Sequence, residues 1–273
     1  MDNGKGFTVP VSVWYGSEDL NLKAALEHKS KEIGFDLFGV ADLARLEAVE
    51  FPPDRGLKRP SEIMPDVRSV LMMGFVIWDE AMNAAVNARA GEHGFFNFYR
   101  EITEMLAWRL ADWLRENTGA RTVPTHEVQE KVAAYLAGLG CIGRSTLVVT
   151  PAYGSRVRWV ALLTMTELEP DPPYTRDLCV EQPLCQGTPL CFKACPSRAI
   201  GPGRDNDMPP RGEVIMGRCI IEHATDRNPD PKCDRYLAHL SELGYLECTR
   251  CSLACPYSQS IEGTIIRERR GLC

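Results

Sequence analysis

At 273 residues, with 44% hydrophobic and 25% charged side chains, the chain has the composition of a soluble globular protein large enough for two compact domains. A formal net charge of −6 argues against an extended nucleic-acid surface. No apolar run reaches the ~18 residues of a membrane span. The first ten residues carry neither an apolar signal core nor a twin-arginine pattern, so the expected compartment is the cytoplasm.

In chain order, Leu20 to Ile33 has apolar residues at helical spacing and stops at Gly34, which predicts a helix followed by a short strand over Phe35 to Ala41. The proline-rich stretch Phe51 to Pro65 reads as a loop, and Val67 to Trp78 as a buried strand. Phe98 to Asn117 predicts a long amphipathic helix with Ile102, Met105, Leu106, Arg109, Leu110, Trp113 and Leu114 on or beside one face, and Trp108 and Trp113 in the core. Val128 to Leu139 predicts a second helix closed by Gly138 and Gly140. Thr146 to Thr150 and Arg156 to Met165 read as the two strands of a hairpin turned by Pro-Ala-Tyr-Gly-Ser. Pro170 to Pro173 marks a hinge between an α/β domain, 1–169, and a cysteine-rich domain, 170–273.

The chemistry lies in the cysteines. One run reads Cys179-x5-Cys185-x5-Cys191-x3-Cys195-Pro196, a lone Cys219 follows, and a second run reads Cys248-x2-Cys251-x3-Cys255-Pro256. Eight thiolates are what two 4Fe-4S clusters require, and in two-cluster ferredoxins the cysteine before each proline ligates the other cluster. The expected sets are therefore Cys179, Cys185, Cys191 and Cys255 for one cluster, and Cys195, Cys219, Cys248 and Cys251 for the second. Cys233 lies nearer the second run than Cys219 and competes with it, while Cys233 and Cys273 otherwise have no assigned role. Disulfides would need an oxidising compartment, and zinc needs fewer cysteines at other spacings.

The stretch Ala137-Gly-Leu-Gly-Cys-Ile-Gly-Arg-Ser-Thr-Leu-Val-Val-Thr-Pro-Ala-Tyr-Gly-Ser-Arg-Val-Arg-Trp-Val-Ala-Leu-Leu-Thr164 resembles the AGLGxIGK/R...TPxYGxRVRxxxVLT segment of epoxyqueuosine reductases and their shorter relatives. It is more distantly similar to the matching segment of reductive dehalogenases. Tyr99 to Leu114 resembles the family's YHxxLxxxLxxLxxWL helix, and the order of parts agrees over roughly residues 20 to 260. The resemblance implies an α+β protein: a nitroreductase-like N-terminal domain that holds cobalamin, followed by a ferredoxin-like two-cluster domain. Gly138, Gly140 and Gly143 would admit the corrin or its phosphate-bearing tail at close range, with Arg144, Ser145 and Thr146 as hydrogen-bond donors. The plainer reading of those glycines is a helix cap and a chain turn. Cys141 is either a cofactor-facing thiol or a small buried hydrophobe.

Two departures separate the chain from epoxyqueuosine reductases. The family's proton-donating aspartate aligns with Pro124, which leaves His126 and Glu127 as substitutes, and Tyr99 and Tyr153, near Arg100 and Arg156, as further candidate donors. Each has a plain alternative as a packed or surface residue. The chain also stops 18 residues after Cys255, where the full-length enzymes continue into a helical-repeat domain. A tRNA substrate is accordingly not expected, and the export signal of reductive dehalogenases is not seen. The expected function is an iron-sulfur oxidoreductase that takes electrons from a low-potential ferredoxin- or flavodoxin-type donor and passes them to cobalamin for reduction of a small molecule. The alternatives are a ferredoxin-like relay without cobalamin serving a partner enzyme, and a reductive activator of another corrinoid protein.

Overall fold

The structure is a computed structural model that describes residues 22–50, 57–77, 87–89, 95–196, 198–201, 213–214, 244–245 and 248–259. Its helices are α1 (Leu22–Ile33), α2 (Leu43–Glu47), α3 (Pro60–Ile63), α4 (Phe98–Thr118), α5 (Glu130–Leu136), α6 (Leu178–Glu181), α7 (Leu190–Ala194), α8 (Arg250–Leu253) and α9 (Pro256–Gln259). Its strands are β1 (Leu37–Ala41), β2 (Ser69–Val76), β3 (Asn87–Arg89), β4 (Phe95–Asn97), β5 (Thr122–Thr125), β6 (Cys141–Ile142), β7 (Val148–Val149), β8 (Val157–Thr164), β9 (Ile200–Gly201), β10 (Glu213–Val214) and β11 (Gly244–Tyr245). This mixture of helix and sheet is the expected α+β class. Among the described residues no helix is long and apolar enough to cross a membrane.

One compact unit comprises Met1–Gly74, Thr103–Ala137 and Trp159–Pro173. It is built on a four-stranded sheet of order β1-β2-β8-β5. The run SVLMMGFV makes β2 buried at every position, as an inner strand covered on both faces requires. β1 pairs with it antiparallel, Leu37 opposite Gly74 and Ala41 opposite Val70. β5 closes the far edge, Thr122 opposite Thr164 and Thr125 opposite Ala161. Pro124 is tolerated there because an edge strand has one side with no partner to receive a donor. The chain leaves this unit through Asp171, which the expected hinge does not leave loose. Its carboxylate accepts from the Val40 amide at 2.8 Å and from Lys23 Nζ at 2.7 Å, and its own amide donates to the Val40 carbonyl at 2.8 Å.

Three expectations are corrected here. The buried stripe of α4 runs through Thr103, Leu106, Ala107, Leu110, Ala111 and Leu114. Trp108 is 50% exposed and Met105 57% exposed, so Trp108 is not core. The small Ala107 and Ala111 set the close-packed side, which rotates the stripe by about a residue from the one marked by large apolar side chains. Next, the stretch predicted as a loop before Pro65 contains α3, started by Pro60 and by Glu62, whose carboxylate accepts from the Arg59 amide at 2.7 Å. Finally, the expected hairpin of Thr146–Thr150 with Arg156–Met165 does not form. β7 pairs with β6, whereas β8 joins the four-stranded sheet.

The second unit comprises Phe75–Ile102, Gly138–Arg158 and Tyr174–Cys273. The glycine-rich segment and both cysteine runs therefore share one unit. β6 and β7 pair with Cys141 opposite Val149 and Ile142 opposite Val148. Helices α6 to α9 are only four or five residues long and carry or flank the cysteines, and α8 packs against α7.

Candidate functional site

Five thiols, those of Cys179, Cys185, Cys191, Cys251 and Cys255, line one cavity with Arg144, Ser145, Val149, Pro189, Leu190 and Ala254. Local chain chemistry sets each in place. Asp177 caps α6 by accepting from the amides of Cys179 and Val180 at 3.0 and 3.1 Å. The Pro183–Cys185 turn and Pro189 before α7 present Cys185 and Cys191 from the next two bends. α8 packs on α7, and the turn after α8 delivers Cys255 from the second run to the three cysteines of the first. Pro256 starts α9 there.

Burial raises the Cys255 thiol, pushes Cys191 to about 11 and pushes Cys179 to about 12, with the neighbouring thiols adding to the shift. Without a metal these groups are neutral thiols, and positive charge in the basin is what ionises them. None of the eight cysteines among the described residues is in a disulfide. No three His, Cys, Asp or Glu side chains among those residues converge on a single metal ion. The thiols stand around a shared cavity instead, which suits a polynuclear cluster that takes one cysteine per iron. Tyr174 packs beside this site with Cys255 and Tyr257, and its hydroxyl is buried with no hydrogen-bond partner among the described residues. A soft-donor basin with an orphaned phenol beside it fits a 4Fe-4S group.

Of the remaining proposed ligands, Cys195 accepts from the Ala199 amide at 3.2 Å, and Cys248 and Cys251 are half-buried at the start of α8. Cys219, with Cys233 and Cys273, lies outside the described residues.

The glycine-rich segment sits against the thiols. A Cβ on Gly140 would lie 2.5 Å from the Val149 carbonyl oxygen, and one on Gly143 would lie 2.7 Å from Val149 Cγ2 and 3.2 Å from Cys179 Sγ. Both glycines thus serve close packing within the chain, and Gly138, at φ +72°, ends α5. The Arg144 amide donates to Cys179 Sγ at 3.4 Å, and Arg144 and Ser145 line the cavity. Thr146 takes φ +64°, a strained conformation for a β-branched residue, in the loop closed by Gly143 N–H to Leu147 O at 2.8 Å. Cys141 is buried with Val149 and Leu178, and burial raises its thiol.

The candidate proton donors fall in different settings. In the first unit the His126 side chain is 8% exposed, held by Glu130 Oε1 at 2.6 Å on Nδ1 and facing Thr103 Oγ1 at 3.3 Å on Nε2. Glu127 is an exposed partner of Lys58 at 2.8 Å. In the second unit Tyr99 is 1% exposed, and the cation over its ring is Arg158, 4.6 Å from the centroid, rather than the sequence neighbour Arg100. Tyr153 lies in the tight turn at Thr150–Gly154, its amide donating to Thr150 Oγ1 at 3.0 Å.

A second cavity in this unit went unread in the sequence. Ser155, Arg156, Arg158, Thr249, Ser252 and Ile77 line it. The signal available was the alternation Arg156-Val157-Arg158 entering a strand, which puts two guanidinium groups on one face.

The fold is the one shared by epoxyqueuosine reductases and reductive dehalogenases. The epoxyqueuosine reductase of Bacillus subtilis, solved with its catalytic aspartate loop swung out of the active site, superposes with a TM-score of 0.63 at 21% identity over 88% of this chain and 66% of that one. A catabolic reductive dehalogenase in complex with 3-bromo-4-hydroxybenzoic acid gives 0.56 at 17% identity over 86% of this chain and 31% of its own. In sequence, the epoxyqueuosine reductase of Gloeobacter violaceus is 27% identical over 74% of this chain and 60% of its own length, and that of Synechococcus sp. CC9605 is 25% identical over 88% and 77%. The chain thus spans between about half and three-quarters of the length of the curated relatives it matches. No protein-family model matches it. In sequence and fold the chain is thus similar to epoxyqueuosine reductases, the resemblance that its glycine-rich segment and cysteine order imply.

Proposed function

We propose that the protein is an iron-sulfur oxidoreductase in which two 4Fe-4S clusters pass single electrons from a low-potential ferredoxin or flavodoxin to cobalamin, for reduction of a small molecule. The observation that carries this reading is the meeting of Cys255 with Cys179, Cys185 and Cys191 around one cavity, which Cys251 of the other set also borders; the first four match the crossed ligand set of a two-cluster ferredoxin. Cys195, Cys248, Cys251 and Cys219 complete the second set in this reading. Cobalamin in a low oxidation state would supply the nucleophile or reductant. Support for it comes from the relatives, among them a reductive dehalogenase whose structure is described as suggesting a mechanism for B12-dependent dehalogenation, with a TM-score of 0.55 over 91% of this chain. The division at 170–173 into a nitroreductase-like cofactor domain and a ferredoxin-like domain belongs to the same proposal.

The chain's own residues would bind and protonate. Arg144 and Ser145 border the first cluster, and the Arg144 amide stabilises sulfur charge on Cys179. His126, positioned by Glu130, is the proton-holding group two residues beyond Pro124. A tRNA substrate is the second reading. The curated relatives carry the name epoxyqueuosine reductase, and one such enzyme is solved with an epoxyqueuosine-modified tRNA stem loop. Against it stand Pro124 and the net charge of −6. A relay module without corrin, or an activator of another corrinoid protein, is the lesser reading because the relatives are reductases.

The test is anaerobic purification, incubation with cobalamin, gel filtration, and metal analysis. Iron near ~8 per chain with cobalt near one supports the proposal. Iron at that level without cobalt overturns the corrin assignment, and iron near ~4 overturns the two-cluster assignment. Turnover of an epoxyqueuosine-containing stem loop by the loaded protein would replace the small-molecule reading with the tRNA one.

A further inference from the structure

Three serines in the cysteine-rich unit, Ser155, Ser252 and Ser258, are buried, and their hydrogen bonds have a polarity that the redox reading leaves unused. Ser155 follows the Thr150–Gly154 turn, which is closed by reciprocal backbone hydrogen bonds of 2.8 and 3.0 Å. Its hydroxyl donates to Ser252 Oγ at 3.0 Å, and its amide donates to Ser258 Oγ at 3.1 Å. A backbone N–H can only donate. The Ser258 oxygen is therefore the acceptor in that bond, and its single O–H is left for another partner. Gly154 lets the turn come this close at φ +56°, since a Cβ there would lie 2.3 Å from Ser258 Oγ. Ser258 itself is 2% exposed, so water does not take the proton.

Sulfur is that partner. Ser258 lies three residues beyond Cys255, and its amide donates to the Cys255 carbonyl at 2.8 Å, which folds the Ser258 side chain back toward the thiol. Burial raises the Cys255 thiol, and hydrogen bonds from the Tyr257 amide, the Ser258 hydroxyl and the Ser258 amide oppose that rise by favouring charge on the sulfur. Of these three donors only the hydroxyl belongs to a side chain. Where Cys255 holds iron, an added electron increases the negative charge on sulfur, so a donor aimed at that sulfur stabilises the reduced state more than the oxidised one. We propose that Ser258, oriented by the Ser155 amide, acts through Cys255: its hydroxyl donates to Sγ and raises the reduction potential of the first cluster. This inference deepens the proposed function and rests on its assignment of Cys255 as a ligand.

The experiment is an anaerobic redox titration of the cluster-containing full chain, read by electron paramagnetic resonance, with iron analysis of every sample. Ser258→Ala should lower the midpoint of one cluster and leave the other where it is. The expected shift is about threefold to tenfold in the one-electron equilibrium, the upper end being ~59 mV. Ser155→Ala deletes an equally buried hydroxyl but keeps the amide that orients Ser258, so both midpoints should stay at the parent values. The midpoint is read from the clusters that remain, so partial loss of iron does not blur the comparison. If Ser258→Ala holds no iron, Ser258→Cys, a weaker donor of nearly equal size, takes its place, and its midpoint should fall in the same direction by less. Unshifted midpoints in the Ser258 variant, or an equal shift in Ser155→Ala, overturn the inference and leave the proposed function standing. Parent iron near ~4 per chain, or full iron in Cys255→Ala, overturns the cluster assignment itself, before any midpoint is compared.

Discussion

Replacing Gly143 with alanine separates two uses of the glycine-rich segment, close packing onto the first thiol set and clearance for a bulky cofactor. The new methyl would lie 2.7 Å from Val149 Cγ2, well inside the 3.4 Å at which ordinary contact begins, and 3.2 Å from Cys179 Sγ. Val149 cannot retreat with its backbone, because β7 is paired to β6 through Cys141 and Ile142. Overpacking of this kind costs about 1–3 kcal/mol, and the smaller entropy of an unfolded alanine returns about 0.4–1 kcal/mol. The expected net destabilisation is about 1–2 kcal/mol, or a fall in Tm of roughly 2–8 °C. Since Cys179 is one of the two side chains pushed, iron retention should fall in the cobalamin-free protein. Thermal unfolding and iron analysis of Gly143→Ala, Val149→Ala and the double variant form a cycle in which the pair should couple favourably, by about 1 kcal/mol. Unaltered Tm and iron in Gly143→Ala, or a coupling energy within about 0.3 kcal/mol of zero, would refute the close-packing argument. Loss of cobalt alone, with iron intact, would give the glycine to the cofactor instead.

Cys255→Ala should remove about four irons per chain or more, the content of one cluster, whereas Cys141→Ala should leave iron unchanged; full iron in Cys255→Ala would break the crossed assignment. In the metal-free protein, Cys179 and Cys191 stay protonated to about 12 and about 11, while the unfolded chain releases those protons from about pH 8.5 upward. Their stabilising contribution is therefore whole below that pH and is lost as pH rises toward the folded values. The urea midpoint of metal-free protein should fall between pH 7 and pH 10, and fall less in a variant with both cysteines changed to serine; equal slopes would remove these thiols as the cause. Asp171→Asn should cost about 1–2 kcal/mol, discounted for a partly exposed carboxylate that holds Lys23 and the Val40 amide. Iron content should not change, and a loss of iron in this variant would tie Asp171 to the clusters.

The parts of the fold that repeat a simple period were legible in the residues. The unbroken apolar run of β2 and the stop at Gly34, which adopts φ +119°, are local signals that tertiary packing leaves intact. The phase of α4 was not, because Ala107 and Ala111 mark its buried side, and small residues carry no weight in a count of large apolar ones. Strand pairing after Gly138 was misread for a different reason. Turn-forming residues between two apolar stretches signal a reversal, but not which partner each strand takes, and here the reversal at Thr150–Gly154 sends the chain from one sheet to another. The joining of Cys255 to the first cysteine run could be proposed because a ligand rule for paired clusters specifies it independently of the fold. No comparable rule connects Arg156 and Arg158 with Thr249 and Ser252, nearly a hundred residues on.

The segment from Gly138 to Arg158 acts on both halves of the cysteine-rich unit, and this accounts for its density of small residues. Its first part is the β6–β7 pair, where Gly140 packs on Val149, Gly143 packs on Val149 and Cys179, and the Arg144 amide reaches sulfur. Its second part is the turn in which Gly154 lies against Ser258, three residues past Cys255, and Ser155 reaches Ser252, one residue past Cys251. Side chains at 143 or 154 would push on a cysteine-bearing loop in either direction. The glycines therefore set the spacing of the thiol basin. A displacement at Gly154 should then reach Cys255. Gly154→Ala would meet the Ser258 hydroxyl at 2.3 Å and, behind it, backbone that cannot rotate away at 2.5 and 2.6 Å, at a φ that only glycine adopts freely. Its expected signature is loss of iron together with a lowered Tm. Retained iron in Gly154→Ala would show that the thiol basin does not depend on this turn.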